Sequence, residues 1–322
     1  MTKRKIYFRA DASATIGYGH FVRTLALADM LKDDFECTFF TTSPSAYQIG
    51  EMEKVCAFVA LNEDTKFEAF LNLLTGDEIV VLDNYFFTTQ YMQQIKDKGC
   101  KLVCVDDMHN RHYPADVVIN HGLTDPKLFD VEPYTKLALG LDYALLRKPF
   151  LTHNNINKEY GHWFVSFGGT DYDNMTAKFV GFLESDPTVK SITVVIGDAY
   201  KHHESLYAFH KIEVKKNLTA SQMQQVMSRA EYAILPCSTV CVEALYCGCK
   251  IASGFFVDNQ REGHDAFAKQ HIIYPLGNLY TISDGSFIDH MKGHKYTKKT
   301  DGCMVPSRYI KVFNEISSSK WI

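Results

Sequence analysis

Several familiar signatures are missing from this 322-residue chain. Its nine cysteines form no Cys-x-x-Cys pair, and an odd number cannot all be bridged within one chain. Cys37, Cys56, Cys100, Cys104 and Cys237 sit in or beside apolar runs, which reads as buried, reduced thiols and not as a disulfide scaffold. No stretch approaches the roughly 20 apolar residues that span a bilayer. Met1–Tyr7 passes from a few charges straight into a strand, without the apolar region of a signal peptide. The expectation is a cytoplasmic protein with no membrane span. Lys and Arg number 34 against 38 Asp and Glu, a net charge of −4. That balance lacks the basic excess of a nucleic-acid binder but leaves room for a local anion pocket. Metal-ligand spacing is also absent: His202-His203 and His210 have no cysteine or carboxylate partners at zinc spacing, so neither a metal nor an organic cofactor is expected. No short repeat or low-complexity tract occurs, and nothing in the sequence reports oligomeric state.

What the chain does have is 46% hydrophobic residues and a length suited to two domains. Apolar runs alternate with helical patterns. Strands are expected at Lys5–Phe8, Glu36–Phe40, Glu78–Leu82, Leu102–Val105 and Val117–Asn120. Helices are expected at Phe21–Leu31, Thr65–Leu74 and Thr88–Lys98. The rhythm restarts with strands at Trp163–Phe167, Ile192–Ile196, Tyr232–Leu235 and Lys250–Ser253. Helices fall at Met175–Leu183, Ala220–Arg229, Val240–Tyr246 and from Gly263. Continuously apolar strands between helices mark parallel sheets covered on both faces. The fold class expected is α/β, with two Rossmann-like domains, 1–148 and 149–322, facing each other across a cleft. A polar linker is expected at about 149–161, and a final helix at Arg308–Ile316 could pack back on the first domain.

In such sheets, ligands bind beyond the carboxyl ends of the strands. The first such loop ends in Ile16-Gly17-Tyr18-Gly19-His20. Gly17 and Gly19 permit close backbone approach, and the following helix start offers N–H groups to an anion. The spacing is not Gly-x-Gly-x-x-Gly, so a dinucleotide cofactor is disfavoured. His20, at a helix N-terminus, has the placement of a neutral general base. Arg23, one turn on, suits a phosphate or a carboxylate. Asp83-Asn84-Tyr85 and Asp106-Asp107 follow the next strands, and either Asp83 or Asp107 could orient His20. In the second half, Gly168-Gly169-Thr170-Asp171 has a phosphate-cradling placement but no Walker lysine. Ser238 and Thr239 open a helix whose amides could hold a diphosphate. Glu243, one turn in, could reach a ribose diol, and Asn259 and Gln260 could position a sugar hydroxyl or a water.

Taken in order, these motifs resemble the UDP-2,4-diacetamido-2,4,6-trideoxy-β-L-altropyranose hydrolase family of pseudaminic acid biosynthesis. The resemblance runs over about residues 5–275. It is carried by Arg9-Ala10-Asp11, Ile16-Gly17-Tyr18-Gly19-His20, Arg23, Asp83-Asn84-Tyr85, Asp106-Asp107 and Gly140–Arg147. Gly168-Gly169-Thr170-Asp171, Glu243-Ala244-Leu245 and Asn259-Gln260 complete it. It implies the GT-B glycosyltransferase fold and a UDP-sugar substrate. By the same resemblance His20 is the base that activates water, and Tyr85 and Asn259 lie near sugar and water. Glu243 is the ribose ligand, with the Gly-Gly-Thr segment and the Ser238 helix start at the nucleotide. The implied reaction is metal-independent attack of water at C1, releasing UDP. The alternatives are an inverting UDP-sugar glycosyltransferase of cell-surface polysaccharide synthesis, a nucleotide-sugar epimerase, and a non-catalytic UDP-sugar binder.

Overall fold

The computed structural model describes residues 3–12, 17–152, 157–297 and 302–318. In the first half, β1 (Lys5–Arg9), α1 (Gly19–Leu31), β2 (Glu36–Thr42), α2 (Ala46–Met52), β3 (Ala57–Leu61), α3 (Lys66–Leu73), β4 (Ile79–Leu82), α4 (Thr89–Asp97) and β5 (Lys101–Val105) alternate. They are followed by β6 (His112–Tyr113), β7 (Val117–Asn120), β8 (Asp130–Val131) and β9 (Lys136–Leu139). Seven strands form one parallel sheet in the order β3-β2-β1-β4-β5-β7-β9, while β6 and β8 pair separately. β4 (IVVL) and β5 are buried at every residue, as central strands with helices on both faces require. The helices are placed by their ends and faces. α4 starts where the Thr88 side chain accepts the Tyr91 N–H, and it turns Tyr91, Met92 and Ile95 inward.

The second half repeats the plan with β10 (Glu159–Val165), α5 (Met175–Ser185), β11 (Ser191–Ile196), β12 (Ile212–Lys216), α6 (Ala220–Arg229), β13 (Ala230–Pro236), α7 (Thr239–Tyr246), β14 (Lys250–Phe255), α8 (Arg261–Lys269), β15 (Tyr274–Asn278) and α9 (Phe287–Lys292). Its sheet is also parallel, ordered β12-β11-β10-β13-β14-β15. Trp163, Val165 and Phe167 on one side of this sheet meet Phe179, Val180 and Leu183 of α5 in a continuous core. Burying each such side chain contributes about 1.5–3 kcal/mol.

The chain divides into two compact units, Met1–Lys148 with Cys303–Ile322, and Pro149–Gly302. The final helix α10 (Val305–Ser318) groups with the first unit, on which the sequence lets it pack back, and the second unit ends at Gly302 instead of running to 322. Its stripe of Val305, Tyr309, Val312, Phe313 and Ile316 is buried. Phe313 packs edge-on against Phe35 at 6.1 Å. The Tyr309 hydroxyl donates to the Tyr143 carbonyl at 2.6 Å. A second correction concerns the linker: β10 begins at Glu159, inside the polar stretch 149–161, and 153–156 lie outside the described residues. Of the nine cysteines six are buried, two half-buried and Cys303 exposed. No helix among the described residues is long and apolar enough to cross a membrane.

Each sheet reverses its strand order once. In the first unit the reversal lies between β1 and β4, in the second between β10 and β13. Both are topological switch points, where the loops leaving neighbouring strands diverge and open a crevice.

Candidate active site

At the switch point of the first unit, the chain leaving β1 is locked before it turns toward α1. The buried Arg9 guanidinium clasps Asp11, with Nη2 at 2.8 Å from Oδ2. Asp11 also accepts the Thr42 N–H at 2.8 Å. Burial alone would raise the Asp11 pKa, but Arg9, Thr42 and Lys66 hold it below the usual carboxylate range. Asn84 grips the same residue from β4: its Oδ1 accepts the Asp11 N–H at 2.6 Å and its Nδ2 donates to the Asp11 carbonyl at 3.2 Å. Residues 13–16, including Ile16, lie outside the described residues. Gly17 then has a φ of +83°, the left-handed region that favours glycine. Gly19 begins α1 immediately before His20.

His20 meets Asp83 from the carboxyl end of β4. The His20 Nδ1 lies 2.7 Å from Asp83 Oδ1, and both side chains are buried. Arg23 Nη2 is also 3.1 Å from Nδ1. Both contacts cannot be hydrogen bonds to one nitrogen in one tautomer. The shorter, charge-assisted one takes the proton, so Nδ1–H donates to Asp83 and Nε2 is left as the basic nitrogen. Nε2 has no partner among the described residues. The Tyr85 ring stands edge-on to His20, with centroids 4.5 Å apart.

Arg23 spends its whole guanidinium on two carboxylates. Nε and Nη2 bind Asp83 at 2.6 Å each, and Nη1 binds both oxygens of Asp107 at 2.7 and 2.6 Å. Thr24 adds a fourth bond to Asp83 at 2.8 Å. Burial would raise the Asp83 pKa; Arg23 and then His20 overcome it and hold this carboxyl far below its ordinary range. Asp107 is likewise lowered, Arg23 outweighing burial. Burial would lower the Arg23 pKa, but Asp107 and Asp83 drive it well above its ordinary value. Of the two candidates for orienting His20, Asp83 is the one in contact. Asp107 instead accepts the Tyr85 hydroxyl at 3.1 Å. Arg23, expected to meet a phosphate or a carboxylate, meets the Asp83 and Asp107 carboxylates, and with Asp83 it forms the support beneath His20. Asp106 is spoken for by the Met108 and His109 N–H groups and the Tyr113 hydroxyl.

In the second unit, two loops flank the other switch point. Gly168, with φ +92°, Gly169 and Thr170 are exposed after β10. The loop lies so close to the end of β11 that a Cβ on Gly197 would fall 2.6 Å from the Gly169 Cα. The α5 N-terminus beyond it is already satisfied: Asp171 accepts the Met175 and Thr176 N–H groups, each at 2.8 Å. That helix end offers little to an anion. α7 differs. Its N-cap Ser238 makes no side-chain capping bond, and the Thr239 and Val240 N–H groups have no partner among the described residues. Of the two helix ends, α7 therefore has the more available N–H groups for an anion. Glu243 is buried one turn into α7, 2% exposed. Asn259 is exposed in a short turn before α8, and the Gln260 Oε1 accepts the Phe256 N–H at 3.2 Å. Among the described residues no three His, Cys, Asp or Glu side chains cluster as metal ligands.

One residue of this region escapes the motif reading: His121, directly after β7, is half-buried near Asp107, Arg23 and Asp83. Its signal is its position, since it occupies a strand's carboxyl end just as Asp83 and Asp107 do.

The calicheamicin glycosyltransferase CalG4 superposes on 98% of this chain and 96% of its own, with a TM-score of 0.61 at 11% identity. The fold is that of the GT-B glycosyltransferases. No family model matches the chain. In sequence this GT-B chain is similar to the UDP-2,4-diacetamido-2,4,6-trideoxy-β-L-altropyranose hydrolase of Campylobacter jejuni, with 25% identity over 83% of the chain and 97% of the relative. It is also 26% identical, over 88% of its length, to an uncharacterized protein of Methanocaldococcus jannaschii, of which it spans 62%.

Proposed function

We propose that this chain hydrolyses a UDP-linked 2,4-diacetamido-2,4,6-trideoxyhexose of altropyranose type. His20 Nε2 takes a proton from water. The water oxygen bonds to C1, the C1–O bond to the β-phosphate breaks, and its electron pair leaves with UDP. A single displacement inverts C1. The observation that carries this reading is the His20–Asp83 contact at the β1/β4 switch point, with Nε2 unpartnered among the described residues. A carboxylate behind the imidazole fixes its tautomer and stabilises the imidazolium that forms. The α7 amides, in the second unit, suit the growing charge on the departing diphosphate. Glu243 suits the ribose, and Tyr85 and Asn259 suit the sugar and the water. Similarity to the Campylobacter hydrolase supports the choice of sugar, and a role in pseudaminic acid biosynthesis in the cytoplasm is part of the same proposal.

The test is UDP release by His20→Ala. It should fall by about 10²–10⁴, the usual worth of a general base, while UDP still binds. Retained turnover would remove His20 from the mechanism.

A second reading, an inverting glycosyltransferase of cell-surface polysaccharide synthesis, is favoured by one feature. Tyr18, at the start of α1, is 40% exposed and Tyr47 51% exposed, and they meet edge-on at 5.7 Å. Exposed aromatic faces beside the catalytic helix suit an acceptor sugar.

A further inference from the structure

His121 has no part in the chemistry above, yet it stands at the same sheet edge. The β5–β7 register pairs Val105 with Ile119, and the Asp106 N–H donates to the Ile119 carbonyl at 3.0 Å. Continued by two residues, that register sets His121 beside Asp107. The Leu145 N–H points at its Nδ1, 3.4 Å away. A nitrogen that accepts carries no proton, so the neutral ring bears its hydrogen on Nε2. Nε2 has no partner among the described residues. Burial, then Arg23, hold the His121 pKa down to about 4, against the opposing pull of Asp107 and Asp83. At neutral pH the ring is an uncharged donor in a fixed orientation.

The groups around it decide what it can bind. Asp83 and Asp107 are both ionised, and the Arg23 charge is committed to them. A phosphate or carboxylate placed here would meet two negative charges and a neutral imidazole. An uncharged oxygen meets only the Nε2–H donor.

We propose that His121 is a substrate-binding, specificity-determining residue whose Nε2–H donates to an uncharged oxygen, a hydroxyl or an amide carbonyl, on the sugar of the UDP-sugar. This rests on the proposed function and adds to it the residue that selects the sugar. A fixed, partly buried donor rejects sugars that leave it unpaired.

The experiment compares wild type, His121→Ala and His121→Gln by steady-state UDP release from the UDP-linked diacetamido sugar and by calorimetric binding of that sugar and of UDP alone. Circular dichroism confirms folding. The alanine variant should raise KM, and Kd for the intact sugar, at least tenfold, with kcat changed less than threefold and UDP affinity unchanged. Glutamine, whose amide nitrogen reaches near the imidazole Nε2 position, should recover most of the loss. The acid limb of kcat/KM should not move above about pH 4, because His121 stays neutral there. A folded alanine variant with unchanged KM and Kd overturns the proposal, as does glutamine no better than alanine, or a shifted acid limb. Wild-type protein that neither binds nor cleaves the sugar overturns the proposed function and this proposal together. Wild-type turnover with an unaffected alanine variant overturns this one alone.

Discussion

Replacing Asp83 with asparagine probes the support beneath His20 almost isosterically. Asp83 accepts four bonds, two from Arg23 at 2.6 Å, one from Thr24 at 2.8 Å and one from His20 at 2.7 Å. An amide keeps the shape but turns one oxygen into a donor. Placed toward Arg23 Nε and Thr24, that donor faces two others. Placed toward His20, it forces Nδ1 to accept and moves the imidazole hydrogen to Nε2. Breaking a buried ion pair costs about 3–5 kcal/mol. Arg23 keeps its two bonds to Asp107, so the lower end applies, about 3 kcal/mol. For a unit of this size that lowers the unfolding midpoint by about 6–12 °C. Turnover should fall at least about 10²-fold, since either arrangement removes the carboxylate that fixes the base. Thermal unfolding followed by circular dichroism, with UDP release on the same samples, reads both effects. A midpoint within about 2 °C of wild type together with turnover within tenfold would refute the argument.

Two further outcomes follow from other parts of the molecule. Thr239→Pro removes one N–H at the first turn of α7, where proline is tolerated and the extended Ser238 before it is compatible. UDP should bind about tenfold more weakly, roughly 1.4 kcal/mol, with the fold intact; unchanged UDP affinity would separate α7 from the diphosphate. The pH dependence of stability has a defined sign at His121. The unfolded imidazole takes a proton near pH 6.5, the folded one only near about 4. Stability from this group is whole above 6.5 and is lost as pH falls between those values, up to roughly 3 kcal/mol at about 1.4 per unit. The buried carboxylates act at lower pH: Asp83 and Asp107 are depressed, so their contribution is whole above the ordinary carboxylate range and is lost as pH falls through that range toward their lower folded values. His121→Gln should flatten the loss between pH 6.5 and 4.5; an unchanged slope would contradict the assignment.

The sequence makes the central strands legible because their chemistry is uniform. β4, β5, β7 and β11 share one pattern, a largely apolar run with nearly every residue buried. The outer strands β3, β12 and β15 do not show it. β3 is largely exposed, β12 (IEVKK) mixes charge with apolar residues, and β15 (YPLGN) contains a proline, which an edge strand tolerates. α2 does carry a sequence signal, the Ser45–Gln48 capping box, but its helix is one of only seven residues. At the site, strand-end position finds His20, Asp83 and Asp107, and would find His121 by the same rule. Partner choice is a different matter. That Arg23 is consumed by Asp83 and Asp107, and that Asp171 fills the α5 N-terminus, depends on distances between loops far apart in sequence. Spacing along the chain does not encode those distances.

The most direct test of the account runs the purified protein with the UDP-linked 2,4-diacetamido-2,4,6-trideoxy-altropyranose in ¹⁸O-labelled water. Both products are read promptly by mass spectrometry against a no-enzyme control for anomeric exchange. The account predicts label in the free sugar above that control and unlabelled UDP, because water enters at C1 and the C1–O bond breaks. Label in UDP would mean attack at phosphorus and would contradict the role given to His20.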